Sequence, residues 1–159
     1  MREILFKAKT CNSEWVQGYY CEGTCNSNCG ISLIITDLNV EIPYRSVLAS
    51  ATDIENIRDF AIYEVAEDTI CQYTGLKDKN GNKIWENDIV KCYADTDDLG
   101  NDLYFFYKVI WHEIYHCWWL SNIHTLEDEY LHQFNPSEIE VIGNIHDNPE
   151  ILEGGDGNA

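Results

Sequence analysis

Short runs of β-branched and aromatic residues, separated by polar breaks, form the dominant pattern along this chain. The run at 31–36 is almost unbroken in apolar side chains, which is typical of a buried strand. Val, Ile, Tyr, Phe and Trp fill most of the other runs, and these residue types are enriched in strands. The pattern predicts strands at 3–9, 15–21, 31–36, 61–65, 88–94, 103–111 and 138–145.

Two polar breaks divide the stretch at 72–91, which reads QYTGLKDKNGNKIWENDIVK. The pair Asn80-Gly81 is the strongest short-range signal for a tight turn with a positive φ angle. We expect Asp78, Asn80 and Asp88 to accept hydrogen bonds from nearby backbone amides in these turns. The stretch is therefore predicted to run strand, turn, short segment, turn, strand.

Two short helices and several irregular segments complete the predicted secondary structure. Thr52 and Glu55 have the spacing of a capping box, which predicts a helix near 53–60. Apolar residues at 126, 130, 131 and 134 recur at helical spacing and favour a second short helix. The remaining segments are predicted as a loop at 21–30, an acidic turn at 95–102 and a frayed tail at 153–159.

The stretch at 72–91, together with EVIGNIHDNPEIL at 140–152, resembles the YopX family of small proteins encoded by bacterial phages and prophages. The similarity extends to Trp15 and Gly18 and to the run at 109–111, so it spans most of residues 1–152. It implies a mainly β, barrel-like single domain over 1–152, and the remaining residues 153–159 are the flexible tail expected from their composition. It also implies an oligomeric protein with no assigned reaction, and no catalytic, cofactor-binding or metal-binding residues can be carried over from it.

Composition bounds the class of protein. A chain of 159 residues with 45% apolar content is long enough for one domain with a real core. No apolar run approaches the roughly 20 residues that a membrane helix requires. No basic start leads into an apolar segment of the kind that directs secretion. We therefore expect a soluble protein of the bacterial host cytoplasm that makes no contact with membranes.

Charge is the strongest anomaly of the composition. The net charge is -18, of which the first 80 residues carry -5 and the remaining residues carry -13. Such a field opposes direct binding to nucleic-acid backbones, because that affinity depends on basic side chains. It fits solubility or a partner with a basic surface. A sharper alternative is an acidic mimic of nucleic acid that occupies a host DNA-binding protein.

One motif raises the question of zinc chemistry. His112-Glu113-Ile114-Tyr115-His116 matches the His-Glu-x-x-His signature of zinc peptidases. That chemistry needs a helix, since only there do side chains four residues apart grip one ion, with the glutamate as base. The surrounding aromatic and β-branched residues favour a strand instead, on which the two Cα atoms would lie about 13 Å apart. His112 and His116 therefore remain candidates for a metal site, with a small zinc-dependent enzyme as an alternative function.

The cysteines form a second candidate metal site. Cys21, Cys25 and Cys29 are spaced three residues apart, with Cys11 upstream, at the edge of the spacing of structural zinc sites. The total of 7 cysteines does not describe a disulfide framework, and a cytoplasmic protein would keep them reduced. These four cysteines either bind zinc or are free thiols on a loop, and we expect free thiols with no cofactor.

The aromatic segment at 104–119 predicts an interface. Alternation along a strand sends successive side chains to opposite faces. Both faces are then largely apolar, one with Phe105, Tyr107, Val109 and Trp111, the other with Tyr104, Phe106, Lys108 and Ile110. A small domain has one core, so the second face needs another cover. We predict a homo-oligomer with Tyr104, Phe106 and Ile110 in its interface, against the alternative that the helix near 126–134 covers this face.

These observations favour a phage or prophage accessory protein that acts by protein–protein binding or self-assembly rather than by catalysis. No catalytic triad or complete metal site can be assembled from the sequence, and no phosphate-binding loop is present. Expected partners are further copies of the chain or a host or phage protein with a basic surface. Direct binding to nucleic acid is not expected.

Overall fold

The computed structural model describes residues 4–24, 30–37, 60–125 and 127–153. Most of the regular structure there is β-strand, and the strand pairs are antiparallel. Within these ranges the one α-helix, α1, is a single turn at Glu150–Glu153. The prediction of a mainly β protein is confirmed. The chain divides into two compact units, an N-terminal unit within Ile4–Ile70 and a C-terminal unit within Cys71–Ala159.

Four strands build the sheet of the N-terminal unit. They are β1 (Phe6–Lys9), β2 (Trp15–Thr24), β3 (Gly30–Asp37) and β4 (Phe60–Val65), in the spatial order β4-β3-β2-β1. Ala8, Ile34 and Val65 form its buried cluster. Gly18 approaches β3 so closely that a side chain there would collide with the carbonyl group of Ile35, which explains a glycine inside this strand.

The C-terminal unit combines a hairpin with a five-stranded sheet. The hairpin pairs β5 (Cys71–Lys77) with β6 (Lys83–Trp85). The sheet has the order β10-β9-β8-β7-β11. Its strands are β7 (Asp88–Thr96), β8 (Asp102–His112), β9 (Cys117–Asn122), β10 (Asp128–Tyr130) and β11 (Ile139–Asn144). Short 3-10 turns at Leu131–Gln133 and Pro136–Glu138 connect β10 to β11.

The core of the C-terminal unit lies on one face of the five-stranded sheet, which we call the first face. Tyr107 and Val109 of β8 are buried there, as the alternation predicted. Leu131 is only 1% exposed and belongs to the same cluster. The other buried members of the cluster are Ile84, Val90, Cys92, Trp118, Leu120 and Ile139. The opposite side of the sheet, which we call the second face, carries Tyr104, Phe106 and Ile110 by the same alternation.

The predicted strands agree with the structure, with small shifts at their ends. The arrangement strand, turn, short segment, turn, strand is confirmed by β5, β6 and β7. One correction concerns the predicted loop at 21–30, because β2 continues through Thr24 and β3 begins at Gly30. The antiparallel pairing of β2 with β3 supplies the backbone hydrogen bonds that keep these polar residues in strands.

The predicted second helix is wrong. The described residues of 126–134 form the short strand β10 and a 3-10 turn, and Phe134 packs on Tyr107 with ring centroids 5.8 Å apart. Pairing of β10 with β9 outweighs the helical spacing of the apolar residues. The predicted helix near 53–60 lies outside the described residues up to Phe60, which begins β4.

The predictions of a barrel, a single domain and a flexible tail have different outcomes. The five-stranded sheet ends in β10 on one side and β11 on the other, so it is an open sheet and the barrel-like form is not confirmed. A single domain over 1–152 remains a prediction. Residue 153 ends α1, and the rest of the predicted tail lies outside the described residues. No helix in the described ranges is long and apolar enough to span a membrane.

Candidate binding surface

Asp78 is a structural residue of the turn between β5 and β6. Its carboxylate accepts hydrogen bonds from the backbone amides of Asn80 at 2.9 Å, Asn82 at 2.8 Å and, on β11, Val141 at 3.1 Å. Asp78 is only 5% exposed, and this burial raises its pKa. The hydrogen bonds from Val141, Asn82 and Asn80 more than offset that effect, so the net pKa lies below the ordinary value. The predicted role as a turn acceptor is confirmed.

The second polar break also serves the fold. Asp88 is 1% exposed and accepts the amide hydrogen of Trp85 at 2.8 Å, as predicted for a turn carboxylate. Asn87 has a φ angle of 64°, and its amide donates to the carbonyl of Val109 at 2.8 Å. Its own carbonyl accepts the amide hydrogen of Ile145 at 3.1 Å. The two stretches singled out in the sequence therefore hold each other in place within the C-terminal unit.

The His-Glu-x-x-His match falls on a hairpin turn. His112 is the last residue of β8, and the next four residues form the turn before β9. The predicted strand at 103–111 is confirmed by β8, and the strand that the aromatic residues favoured for the motif itself ends at His112. The amide of His116 donates to the carbonyl of His112 at 2.9 Å, with a φ angle of 50° at His116. The helix that zinc-peptidase chemistry requires is not formed here.

The structure leaves the cysteine site untested. Cys11 is exposed in the turn after β1, while Cys21 is half-buried on β2, where burial raises its pKa. Cys25 and Cys29 lie outside the described residues. Within the described ranges, no group of three or more His, Cys, Asp or Glu side chains is arranged to hold a metal ion. Zinc at the four cysteines stays a prediction.

The hairpin turn at 113–116 lies beside a group of exposed and half-buried aromatic residues that the sequence did not reveal. We call this group the hairpin cluster; it consists of His112, Tyr115, Trp119, Tyr130 and His132. Tyr115 stacks on Trp119 with ring centroids 5.4 Å apart and an interplanar angle of 8°. Tyr130 meets Trp119 edge-on at 4.8 Å, and the His112 ring lies 4.2 Å from Trp119. Tyr115 is 58% exposed, and Ile114 beside it is 79% exposed.

Register explains how distant residues meet in this cluster. Trp119 on β9 lies opposite Ile110 on β8, and Tyr130 on β10 lies opposite Trp119. The three side chains therefore share the second face of the sheet. The signal was present in the sequence only as aromatic residues on either side of an unrecognised turn.

The predicted interface residues lie on the second face as expected. Tyr104, Phe106 and Ile110 are all half-buried. The ammonium group of Lys91 lies 3.8 Å from the centroid of the Tyr104 ring, and the Phe106 ring contacts His124 at 6.0 Å. The helix near 126–134, which was the alternative cover for this face, is not formed. Leu131 and Phe134 pack on the first face, whereas Tyr130 packs on Trp119 of the second face.

The N-terminal unit contains a groove. Its volume is about 790 Å³, and it lies along β2, β3 and the end of β4. Its polar lining includes three glutamates, a tyrosine and a serine: Glu22, Glu64, Glu67, Tyr20 and Ser32. The Tyr20 hydroxyl lies 3.4 Å from both the Glu22 carboxylate and the Ser32 hydroxyl. Three of its nine lining residues are glutamates, so the groove is acidic.

Comparison with known proteins agrees with the resemblance in the signature stretches. The profile of a family described as YopX protein matches residues 11–153. Among solved structures, the crystal structure of protein EF1440 from Enterococcus faecalis is similar at 23% sequence identity. That match covers 96% of this chain and 99% of the other, with a TM-score of 0.45. The search of curated proteins gave no match.

Proposed function

We propose that this chain, which belongs to the YopX family, is a phage or prophage accessory protein that acts by protein–protein binding, including self-assembly. One observation carries the proposal. The second face of the five-stranded sheet presents aromatic and aliphatic side chains, and the core cluster of the unit packs on the other face. These side chains are half-buried and keep part of their apolar surface accessible, and contiguous accessible apolar surface marks interaction sites in soluble proteins.

The buried carboxylates support binding rather than catalysis. Asp78 and Asp88 are the most buried acidic residues described, and each is occupied by backbone amides of the turns that it stabilises. A general acid or base needs a carboxylate within reach of a substrate. These two groups instead serve as internal acceptors, and the signature residues around them build the fold.

The self-assembly proposal places the interface at Tyr104, Phe106 and Ile110. Repulsion between copies that each carry a net charge of -18 opposes it, but salt screens this repulsion beyond about 8 Å at physiological ionic strength. Light scattering at micromolar concentration and about 0.15 M salt measures the mass. We expect a multiple of 18.4 kDa, and a mass equal to 18.4 kDa would contradict self-assembly.

The interface is located by a matched pair of variants. Phe106→Glu puts a carboxylate on the second face and should dissociate the oligomer while circular dichroism stays unchanged. Phe105→Glu puts the same charge one residue away, at a side chain that is 50% exposed and directed to the opposite face, and should leave the mass unchanged. Equal masses for the two variants would argue against this face. Tyr104→Glu provides a second probe if Phe106→Glu unfolds.

A second candidate function is an acidic mimic of nucleic acid. It is favoured by the charge distribution, since none of the 51 residues after Lys108 is Lys or Arg whereas ten are Asp or Glu. Its premise is that the protein does not itself bind DNA. A gel shift with duplex DNA at low salt, where attraction would be strongest, should show no complex. A clear shift would remove the premise.

A further inference from the structure

We propose that the hairpin cluster is a docking site for arginine and lysine side chains on a basic segment of a partner protein. The inference deepens the proposed function, on which it rests, by naming the chemistry of a partner at one end of the second face. Two features carry it: the geometry of the rings, and the charge of the residues around them.

The geometry supplies an accessible aromatic ring, Tyr115, backed by two half-buried rings. Tyr115 and Trp119 are nearly parallel, and Tyr130 closes one side of the pair edge-on, 6.4 Å from Tyr115. Tyr115 is 58% exposed, so part of this stack is open to solvent. A cation positioned over the face of a tryptophan or tyrosine ring is attracted by its quadrupole. The arrangement therefore offers binding energy to a cationic side chain in addition to apolar contact.

Elsewhere in the chain, lysines lie over rings that are half-buried or buried. Lys91 lies over Tyr104 and Lys83 lies 5.3 Å from the centroid of Tyr73. In the N-terminal unit Lys7 and Lys9 both lie over Trp15. Among the described residues, no lysine or arginine lies over Tyr115, Trp119 or Tyr130. Tyr115, which is 58% exposed, is thus a ring that a cation from another molecule can reach.

The charge around the cluster favours a basic occupant over a second copy of the protein. Glu113 is exposed within the turn itself. Asp128 precedes Tyr130 by two residues on β10, so it points to the same face. Two copies meeting through this end would bring their carboxylates together, with Lys108 as the one lysine or arginine of β8, β9 and β10 to pair with them. A segment rich in arginine or lysine instead satisfies both the rings and the carboxylates.

The direct test measures binding of a short labelled peptide of alternating arginine and glycine by fluorescence anisotropy at about 0.15 M salt. The neutral control is the same peptide with citrulline in place of arginine, which keeps the shape and removes the charge. We expect binding of the arginine peptide only. Equal binding of both peptides, or of neither, would overturn the proposal.

Variants separate the cluster from diffuse attraction to an acidic protein. Tyr115→Leu removes one ring and should weaken binding of the arginine peptide about fivefold. Tyr115→Phe keeps the ring, and its affinity for the peptide should stay within about twofold of the wild-type affinity. Tyr19→Leu is the matched control, because Tyr19 is 54% exposed in the other unit. Equal losses of peptide affinity in Tyr115→Leu and Tyr19→Leu would overturn the proposal, because binding would then not depend on the ring at the hairpin cluster.

The outcomes also distinguish this inference from the proposed function. Loss of peptide binding in Tyr115→Leu with an unchanged mass by light scattering supports a basic partner at the hairpin cluster. A change of mass in Tyr115→Leu, without peptide binding to the wild type, would show that a second copy covers the cluster and would overturn the inference alone. Self-assembly itself is judged separately by Phe106→Glu.

Discussion

Two hairpin turns of the C-terminal unit share the pattern Asp-x-x-Gly-Asn and the same backbone geometry, yet only one of them ties distant parts of the chain together. Asp78–Asn82 joins β5 to β6, and Asp97–Asn101 joins β7 to β8. In each turn the glycine amide donates to the aspartate carbonyl, at 3.0 Å and 2.9 Å. In each the aspartate carboxylate accepts a hydrogen bond from the backbone amide of the asparagine at 2.8 Å. The glycines have φ angles of 85° and 86°.

The difference between the turns is tertiary. The Asp78 carboxylate also accepts the amide hydrogen of Val141, which is 63 residues away, and the amide of Lys79 donates to the carbonyl of Ile139 at 2.9 Å. The hydrogen bonds that the Asp97 carboxylate accepts come from Leu99 and Asn101 of its own turn, and Asp97 is half-buried, whereas Asp78 is buried. An identical local motif therefore specifies a turn in both places, and its surroundings decide whether the turn also anchors β11.

The largest effect should come from removing each aspartate. Asp78→Ala leaves the amides of Asn80, Asn82 and Val141 without their acceptor in a buried place, and should lower the free energy of unfolding by about 2–3 kcal/mol. Asp97→Ala should cost clearly less, because water replaces the carboxylate there. Urea unfolding followed by tryptophan fluorescence measures both, since four of the 5 tryptophans lie after residue 80. Equal shifts of the two midpoints would show that the link to β11 contributes nothing.

Acid titration sharpens the same contrast. The pKa of Asp78 is lowered in the folded state, so its ionised form stabilises the fold above its unfolded pKa of about 3.9. That contribution is lost as the pH falls through the lower, folded-state pKa. The difference in unfolding free energy between the wild type and Asp78→Asn should therefore be largest near neutral pH and shrink below about pH 4.

Asp97 provides the control for the titration. The hydrogen bond from the Asn101 side chain lowers the pKa of Asp97 as well, so the sign of the effect is the same. Asp97 is more accessible than Asp78, so solvent screens its carboxylate more strongly. The gap between the wild type and Asp97→Asn should therefore be the smaller one at every pH. A gap for Asp78→Asn that widened on acidification would contradict the assignment of Asp78 as a buried, ionised acceptor.

The glycines test what the turns have in common. A Cβ at Gly81 or Gly100 would meet no atom within 4 Å, so any cost of alanine comes from the positive φ angle alone. Gly81→Ala and Gly100→Ala should each destabilise by about 1–2 kcal/mol. Unequal costs would mean that the two backbones differ in strain, and the comparison of the aspartates would then need a correction for it.

The strands and the acceptor roles of Asp78 and Asp88 could be predicted from the sequence because they depend on local physics. Alternation reports burial on one face, and carboxylates next to an Asn-Gly pair bond to the turn amides. Spacing of Asp, Gly and Asn would also have revealed that the two turns are alike. The pairing of β11 with β7 could not be predicted, since nothing local specifies which strands become neighbours in a sheet.

The hairpin cluster escaped prediction for two physical reasons. Its turn contains no Gly, Pro or Asn, and the positive φ angle falls on His116, where few non-glycine residues adopt it. The unbroken aromatic run therefore resembled one long strand. The meeting of Trp119 with Tyr130 depends on strand register, which the sequence does not state. Only the placement of Tyr104, Phe106 and Ile110 on one face followed directly from alternation.

The smallest expected effect concerns the ion pair that accompanies the link to β11. Lys79 Nζ lies 2.7 Å from Glu140 Oε2, with side chains 39% and 32% exposed. The hydrogen bond between them raises the pKa of Lys79 and lowers the pKa of Glu140. Exposed pairs contribute little because solvent and salt screen them. Urea unfolding of Lys79→Ala, Glu140→Gln and the double variant measures the coupling free energy of the pair. We expect this coupling to be smaller than the cost of either glycine substitution, and we expect added salt to reduce it further. A coupling free energy as large as the stability lost in Asp78→Ala would mean that the surface ion pair, rather than the buried carboxylate, holds the turn to β11. The two turns would then differ because of charge rather than burial.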